Sequence, residues 1–143
     1  MNPNRVAAFL GLAVVAVAVL AGLWLAGSPA EQRLHRFDLR RTADLRSLVR
    51  MLDLYRQGND ALPEELEALV DGRIMSRLPE DPETSDAYEY RRLSSDAYEL
   101  CARFSLPAPE SERGDFWYHD AGRQCYRLDA AAMPAALERL GLP

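Results

Sequence analysis

No lysine occurs in this chain, and histidine and cysteine appear only twice each. That leaves few groups able to act as nucleophile or general base. No zinc-ligand spacing, glycine-rich phosphate loop or Gly-x-Ser-x-Gly elbow is present either, so the common hydrolytic and nucleotide-binding chemistries have no sequence support. A basic surface is missing as well: the net charge is −5, and binding to phosphate backbones needs the opposite sign. Nucleic acid is therefore not an expected partner. All 17 basic residues are arginine, a uniform preference that a GC-rich genome produces without selection for arginine chemistry.

The charge that is present is unevenly placed. Residues 31–56 hold seven Arg against four acids, whereas residues 57–143 hold nine Arg against eighteen acids. A basic collar thus precedes an acidic body. Ahead of the collar lies a run of 21 residues without a charge, from Val6 to Ala26. At 1.5 Å per residue it is about 31 Å long as a helix, the thickness of a bilayer core. The run predicts a membrane-spanning anchor contacting lipid through residues 6–26, with Trp24 as an interfacial aromatic. A cleaved signal peptide is the rival reading, because Ser28-Pro29-Ala30 supplies small residues before Glu31. Orientation is open between two signals: Arg33, Arg36, Arg40 and Arg41 favour a cytoplasmic body, whereas a disulfide would need an oxidising compartment. The reading adopted is a bacterial inner-membrane, single-pass protein with its body on the periplasmic, extracytoplasmic side.

Three segments follow: an anchor over 1–28, an amphipathic stalk helix over 29–58, and a small α+β domain over 59–143 packing on the stalk. Leu34, Phe37, Leu45, Leu48, Val49, Leu52 and Tyr55 fall in one stripe of a 3.6-residue helix. Arg41 interrupts that stripe, which places the start of burial near Leu45 and leaves the earlier turns solvated. Gly58-Asn59-Asp60 supplies residues tolerant of left-handed geometry at the helix end. A short helix is expected after Leu62-Pro63, with Leu66, Leu69 and Val70 on its packed side, and another over Pro134–Leu140.

Beyond Leu78 the period shifts to two. Tyr88 and Tyr90 alternate with Glu89 and Arg91. Tyr98, Leu100, Ala102 and Phe104 share one strand face, opposite Glu99, Cys101 and Arg103. Tyr126 and Leu128 face inward while Cys125 and Arg127 face away. Both cysteines therefore sit on the polar faces of their strands, and if those strands are neighbours a Cys101–Cys125 disulfide closes a loop of about 25 residues. Two unpaired thiols remain the alternative.

His119, followed by Asp120, is the better placed of the two histidines for chemistry, but neighbours on a strand point to opposite faces and form no dyad by adjacency. Calcium is the one metal with available oxygen ligands, from Glu80, Asp81, Glu83 and Asp86 in one loop and Glu110, Glu112 and Asp115 in another. Solvated acidic loops are the simpler reading, and no metal, cofactor or catalytic residue is expected. Phe116-Trp117-Tyr118 is read as mainly core, with a binding patch as the alternative.

The order of these features, an apolar helix running into an amphipathic one, Leu62-Pro63, then Asp81-Pro82 leading to Tyr88-Glu89-Tyr90-Arg91 and a small antiparallel sheet, resembles type IV pilin-like proteins. The major pseudopilin of type II secretion systems is the nearest likeness, over residues 40–105. The chain is also similar to a group of uncharacterised single-pass bacterial membrane proteins. The pattern shared with them is Asp81-Pro82-Glu83-Thr84, Tyr88-Glu89-Tyr90-Arg91, Tyr98-Glu99-Leu100-Cys101-Ala102 and Gly122-Arg123-Gln124-Cys125. The resemblance implies an α+β fold with a long N-terminal helix on a small antiparallel sheet. A prepilin peptidase site is not matched, since Gly11 is followed by Leu12, Ala13, Val14, Val15 and Ala16, so neither processing nor filament membership is implied. The expected function is a non-enzymatic, membrane-anchored interaction or envelope-assembly module with a protein partner of unknown identity. A cytoplasm-facing adaptor that recruits a soluble partner through its acidic body is the alternative.

Overall fold

A computed structural model describes residues 3–25, 28–70 and 75–130 of the 143. The chain divides into two compact units, Met1–Leu34 and His35–Pro143. The helix expected over Pro134–Leu140 lies outside the described residues.

The first unit contains helix α1, Pro3–Leu25, and the opening turns of helix α2, Pro29–Asn59. Ser28 starts the second helix. Its hydroxyl accepts the Glu31 backbone N–H at 3.1 Å, and its carbonyl accepts the Gln32 N–H at 3.1 Å. With Pro29 in the first turn and an acid three residues after the serine, the sequence carries a helix-start signature at this point. Every described side chain of α1, from Phe9 to Gly22, is exposed.

The expected single-pass anchor, and with it a place in the inner membrane, is corrected by these helices. Among the described residues no helix is long and apolar enough to cross a membrane.

The second unit is α+β. Strands β1 (Glu89–Arg92), β2 (Ala97–Phe104) and β3 (Gly122–Asp129) form an antiparallel sheet in the order β1-β2-β3. Its inner face carries Tyr98, Leu100, Ala102, Phe104, Tyr126 and Leu128 in one core cluster with Leu45, Leu48, Val49 and Leu52 of α2. Strand alternation and the helical stripe together create that core, since each puts its apolar side chains on a single side. Leu62 and the short 3₁₀ helix Leu66–Leu69, which supplies Leu66 and Leu69 after Leu62-Pro63, complete it. Tyr90 and Arg92 fix this connection to the sheet by donating to the carbonyls of Pro63 (2.8 Å) and Leu62 (3.0 Å).

α2 ends where Asp60 takes φ 57° and returns its N–H to the Arg56 carbonyl at 2.8 Å. Arg56 in turn binds Asp96 at 2.7 Å, in the turn between β1 and β2. Cys101 and Cys125 are directly opposed across β2 and β3, and their sulfurs are bonded, with Cα atoms 4.1 Å apart. That separation belongs to the narrow, non-hydrogen-bonded pairs of an antiparallel ladder, where facing side chains come closest.

Candidate functional site

α2 carries two different polar surfaces, and the first is not a solvated face. Burial begins at Asp38 rather than near Leu45: Asp38, Arg41 and Asp44 are 3%, 2% and 6% exposed. A guanidinium cannot be buried without partners, because its desolvation costs several kcal/mol. Arg41 therefore recruits three acids. Its Nε donates to Asp81 at 2.6 Å, its Nη1 to Asp38 at 2.8 Å, and its Nη2 to Glu83 at 2.8 Å. The Ser105 hydroxyl takes a further bond at 2.7 Å. Asp38 also accepts the backbone N–H groups of Ser105 (2.8 Å) and Leu106 (2.9 Å) just beyond β2. One turn on, Asp44 accepts the Tyr88 hydroxyl at 3.0 Å and pairs with Arg40 at 3.1 Å.

The electrostatics follow from this geometry. The bond to Asp81 holds the Arg41 guanidinium well above its ordinary pKa, against the opposing effect of burial. Burial pushes the Asp81 carboxyl up, but the bonds from Arg41 and from the N–H groups of Glu83 and Thr84 outweigh it and leave it below the ordinary value. Glu83 is held low chiefly by its bond from Arg41. Burial, then the Asp44 charge, pushes the Tyr88 hydroxyl far up, so it stays a donor. With depressed carboxyls, the stability this cluster adds is present above about pH 4 and lost as pH falls through the folded-state values.

The loop around Asp81 is built for this purpose. Asp81 Oδ1 accepts the backbone N–H of Glu83 at 2.9 Å and of Thr84 at 3.1 Å, and Ser85 adopts φ 63°. Two of the oxygen ligands considered for calcium are thus already turned onto a cation. In the second acidic loop, Glu110 pairs with Arg113 at 2.7 Å, and Asp115 accepts the Trp117 N–H at 2.8 Å.

The second polar surface of α2 lines a groove of about 590 Å³ against the loop from Pro107 to His119. His35, Leu39, Thr42, Arg46 and Arg50 contribute from the helix, at spacings of three and four that form one stripe. The loop is closed by the Ala108 N–H, which donates to the His119 carbonyl at 2.8 Å. It presents Trp117 and His119, 4% and 7% exposed. Phe116, Trp117 and Tyr118 lie in a turn rather than a strand; Trp117 packs on Tyr126 at 4.8 Å while Phe116 stays 43% exposed.

Among the described residues, three shielded polar atoms of groove-lining residues have no hydrogen-bond partner: Arg46 Nε, Trp117 Nε1 and His119 Nδ1. The Tyr98 hydroxyl shares this condition but does not line the groove. The Arg46 guanidinium lies 5.9 Å from the Trp117 ring centroid, in cation–π range. His119 stacks on Phe104 at 3.6 Å. Burial pushes its imidazole below the ordinary value, opposed by the Asp38 charge and by the backbones of Asp120 and Leu106.

His119 is buried and Asp120 exposed, so the two do not share an environment in which a dyad would work. Glu99, Cys101 and Cys125 bring ligand atoms within 4.8 Å of one another, but the two sulfurs are bonded together and offer no thiolate to a metal. The groove residues Arg46, Arg50 and Trp117 were not singled out as a group by sequence reasoning. The signal was available: a polar stripe from His35 to Arg50 flanks the apolar one at the same helical period. No protein-family model, curated protein or solved structure matches the chain.

Proposed function

We propose that this protein is a non-enzymatic, pilin-like interaction module that works by burying α1 against a protein partner. The observation that carries the reading is the exposure of α1. Phe9, Leu10, Leu12, Val14, Val15, Val17, Val19 and Leu20 are each at least 55% exposed, a larger contiguous apolar surface than a protein leaves in water without a use for it. Each fully buried aliphatic side chain of that size is worth about 1.5–3 kcal/mol, so covering even half of them supports a stable complex.

The chemistry of the body fits a scaffold. Its cysteines are bonded to each other, its buried arginine is matched by three acids, and its buried histidine is stacked on a phenylalanine. The bonded cysteines also favour an oxidising environment over the adaptor reading, which requires free thiols.

Photo-crosslinking side chains placed at Leu12 and at Val17 test the proposal in intact cells. Discrete protein adducts at both positions are the expected result, reduced by Val14→Glu. Absence of protein adducts at both positions, with the protein present at normal levels, sinks the proposal.

A further inference from the structure

The groove between α2 and the Pro107–His119 loop has a charge and donor pattern that asks for a specific kind of ligand. Arg46 and Arg50 stand one helical turn apart on its wall, and neither takes part in an ion pair among the described residues. Asp38 is bonded to Arg41 and to two backbone N–H groups, and one oxygen of the exposed Asp115 accepts the Trp117 N–H. Glu112 is the remaining acid of the groove and is exposed.

The second observation is independent of charge. Trp117 is 4% exposed, its indole Nε1 can only donate, and no acceptor among the described residues meets it. Arg46 Nε is likewise a donor, shielded and unmet. Buried donors are almost always satisfied, and Arg46 and Trp117, which share a cation–π contact and both line this groove, each keep a donor that an acceptor from outside the chain can meet. A carboxylate has the right sign, two acceptor oxygens and the planar shape that a guanidinium grips.

We infer that this groove is a carboxylate-binding site, in which Arg46 and the Trp117 indole N–H hold the carboxylate and Arg50 adds the second positive charge. The cavity of about 590 Å³ admits more than a single carboxylate, within the range of small-molecule and peptide-terminus sites. The inference does not rest on the role proposed for α1, and each stands if the other fails.

The Trp117 indole N–H resonance of the isotope-labelled full chain, with Trp24→Phe removing the other indole, gives a direct readout. Three probes separate the sources of a carboxylate: succinate as a free acid, acetyl-triglycine as a peptide terminus, and acetyl-triglycine amide as the same peptide without the charge. A saturable shift with either acid and none with the amide is expected. Tighter binding of succinate identifies a free-acid ligand, and tighter binding of acetyl-triglycine a peptide terminus. Arg46→Gln should weaken binding about tenfold or more, the loss of one charge-assisted hydrogen bond, while leaving the other resonances in place. Equal shifts from acid and amide, an Arg46→Gln protein that binds as well as the original, or no saturable shift at about tenfold above the millimolar range of weak ligands would each overturn the assignment.

Discussion

Arg41 and Arg46 sit five residues apart on the same helix and meet opposite fates. Five residues turn an α-helix by about 140°, enough to aim the first at the Asp81 loop and the second at the Trp117 loop. The Asp81 loop brings two carboxylates to its arginine. The Trp117 loop brings an aromatic ring and an acid whose Oδ1 accepts the Trp117 backbone N–H. One guanidinium is therefore fully matched inside the protein, and the other retains capacity for something outside it. What separates a structural arginine from a binding one is the partner loop, and nothing in the arginine itself.

The sharpest way to break that contrast is at Arg41. Arg41→Met leaves Asp38 and Asp81 buried without their cation and should cost about 3–5 kcal/mol, read from urea denaturation. A loss below about 1 kcal/mol would make the two arginines equivalent and defeat the comparison. Next in size is the sheet staple. Replacing both cysteines with serine, at a sequence separation of 24, should cost about 3.5 kcal/mol on the chain-entropy account. Because the bond lies on the outer face of the sheet, the loss should be the same in wild-type and Arg46→Gln backgrounds. Non-additivity there would show that the groove depends on the staple.

Tyr88→Phe probes the rim of the Arg41 cluster by taking the hydroxyl from a buried Asp44, at about 1–2 kcal/mol. A pH series tests the groove side. Burial holds the His119 imidazole below its ordinary value, so in that interval the unfolded chain binds a proton that the folded one refuses. Stability should be full above about pH 6.5 and decline as pH falls. His119→Gln should flatten that decline, and a slope unchanged by the substitution would assign it elsewhere. The smallest effect belongs to Arg46→Gln, within about 0.5 kcal/mol either way, since no carboxylate among the described residues pairs with it.

The sheet was legible because its signal is local. Alternation over Tyr98–Phe104 and Tyr126–Leu128 sorts side chains to two faces regardless of what lies across from them, and the facing cysteines follow from the same parity. The apolar stripe from Leu45 to Leu52 is equally local. The Arg41 cluster was not legible, because its four partners come from positions 38, 81, 83 and 105, and an arginine within a stripe looks like an interruption until the loop that neutralises it is in place. The expected short helix is the 3₁₀ turn Leu66–Leu69, which buries Leu66 and Leu69 but leaves Val70, expected on the packed side, exposed. The Phe116–Tyr118 aromatics were sorted correctly to the core only at Trp117, because the chain turns there.

Asp38 joins a helix side chain to the two peptide groups that follow β2. The amide protons of Ser105 and Leu106 sit in a loop, yet both are bonded to a carboxylate carried by α2. Their exchange with solvent deuterium therefore reports on the contact between helix and loop, at two positions that have no regular secondary structure of their own.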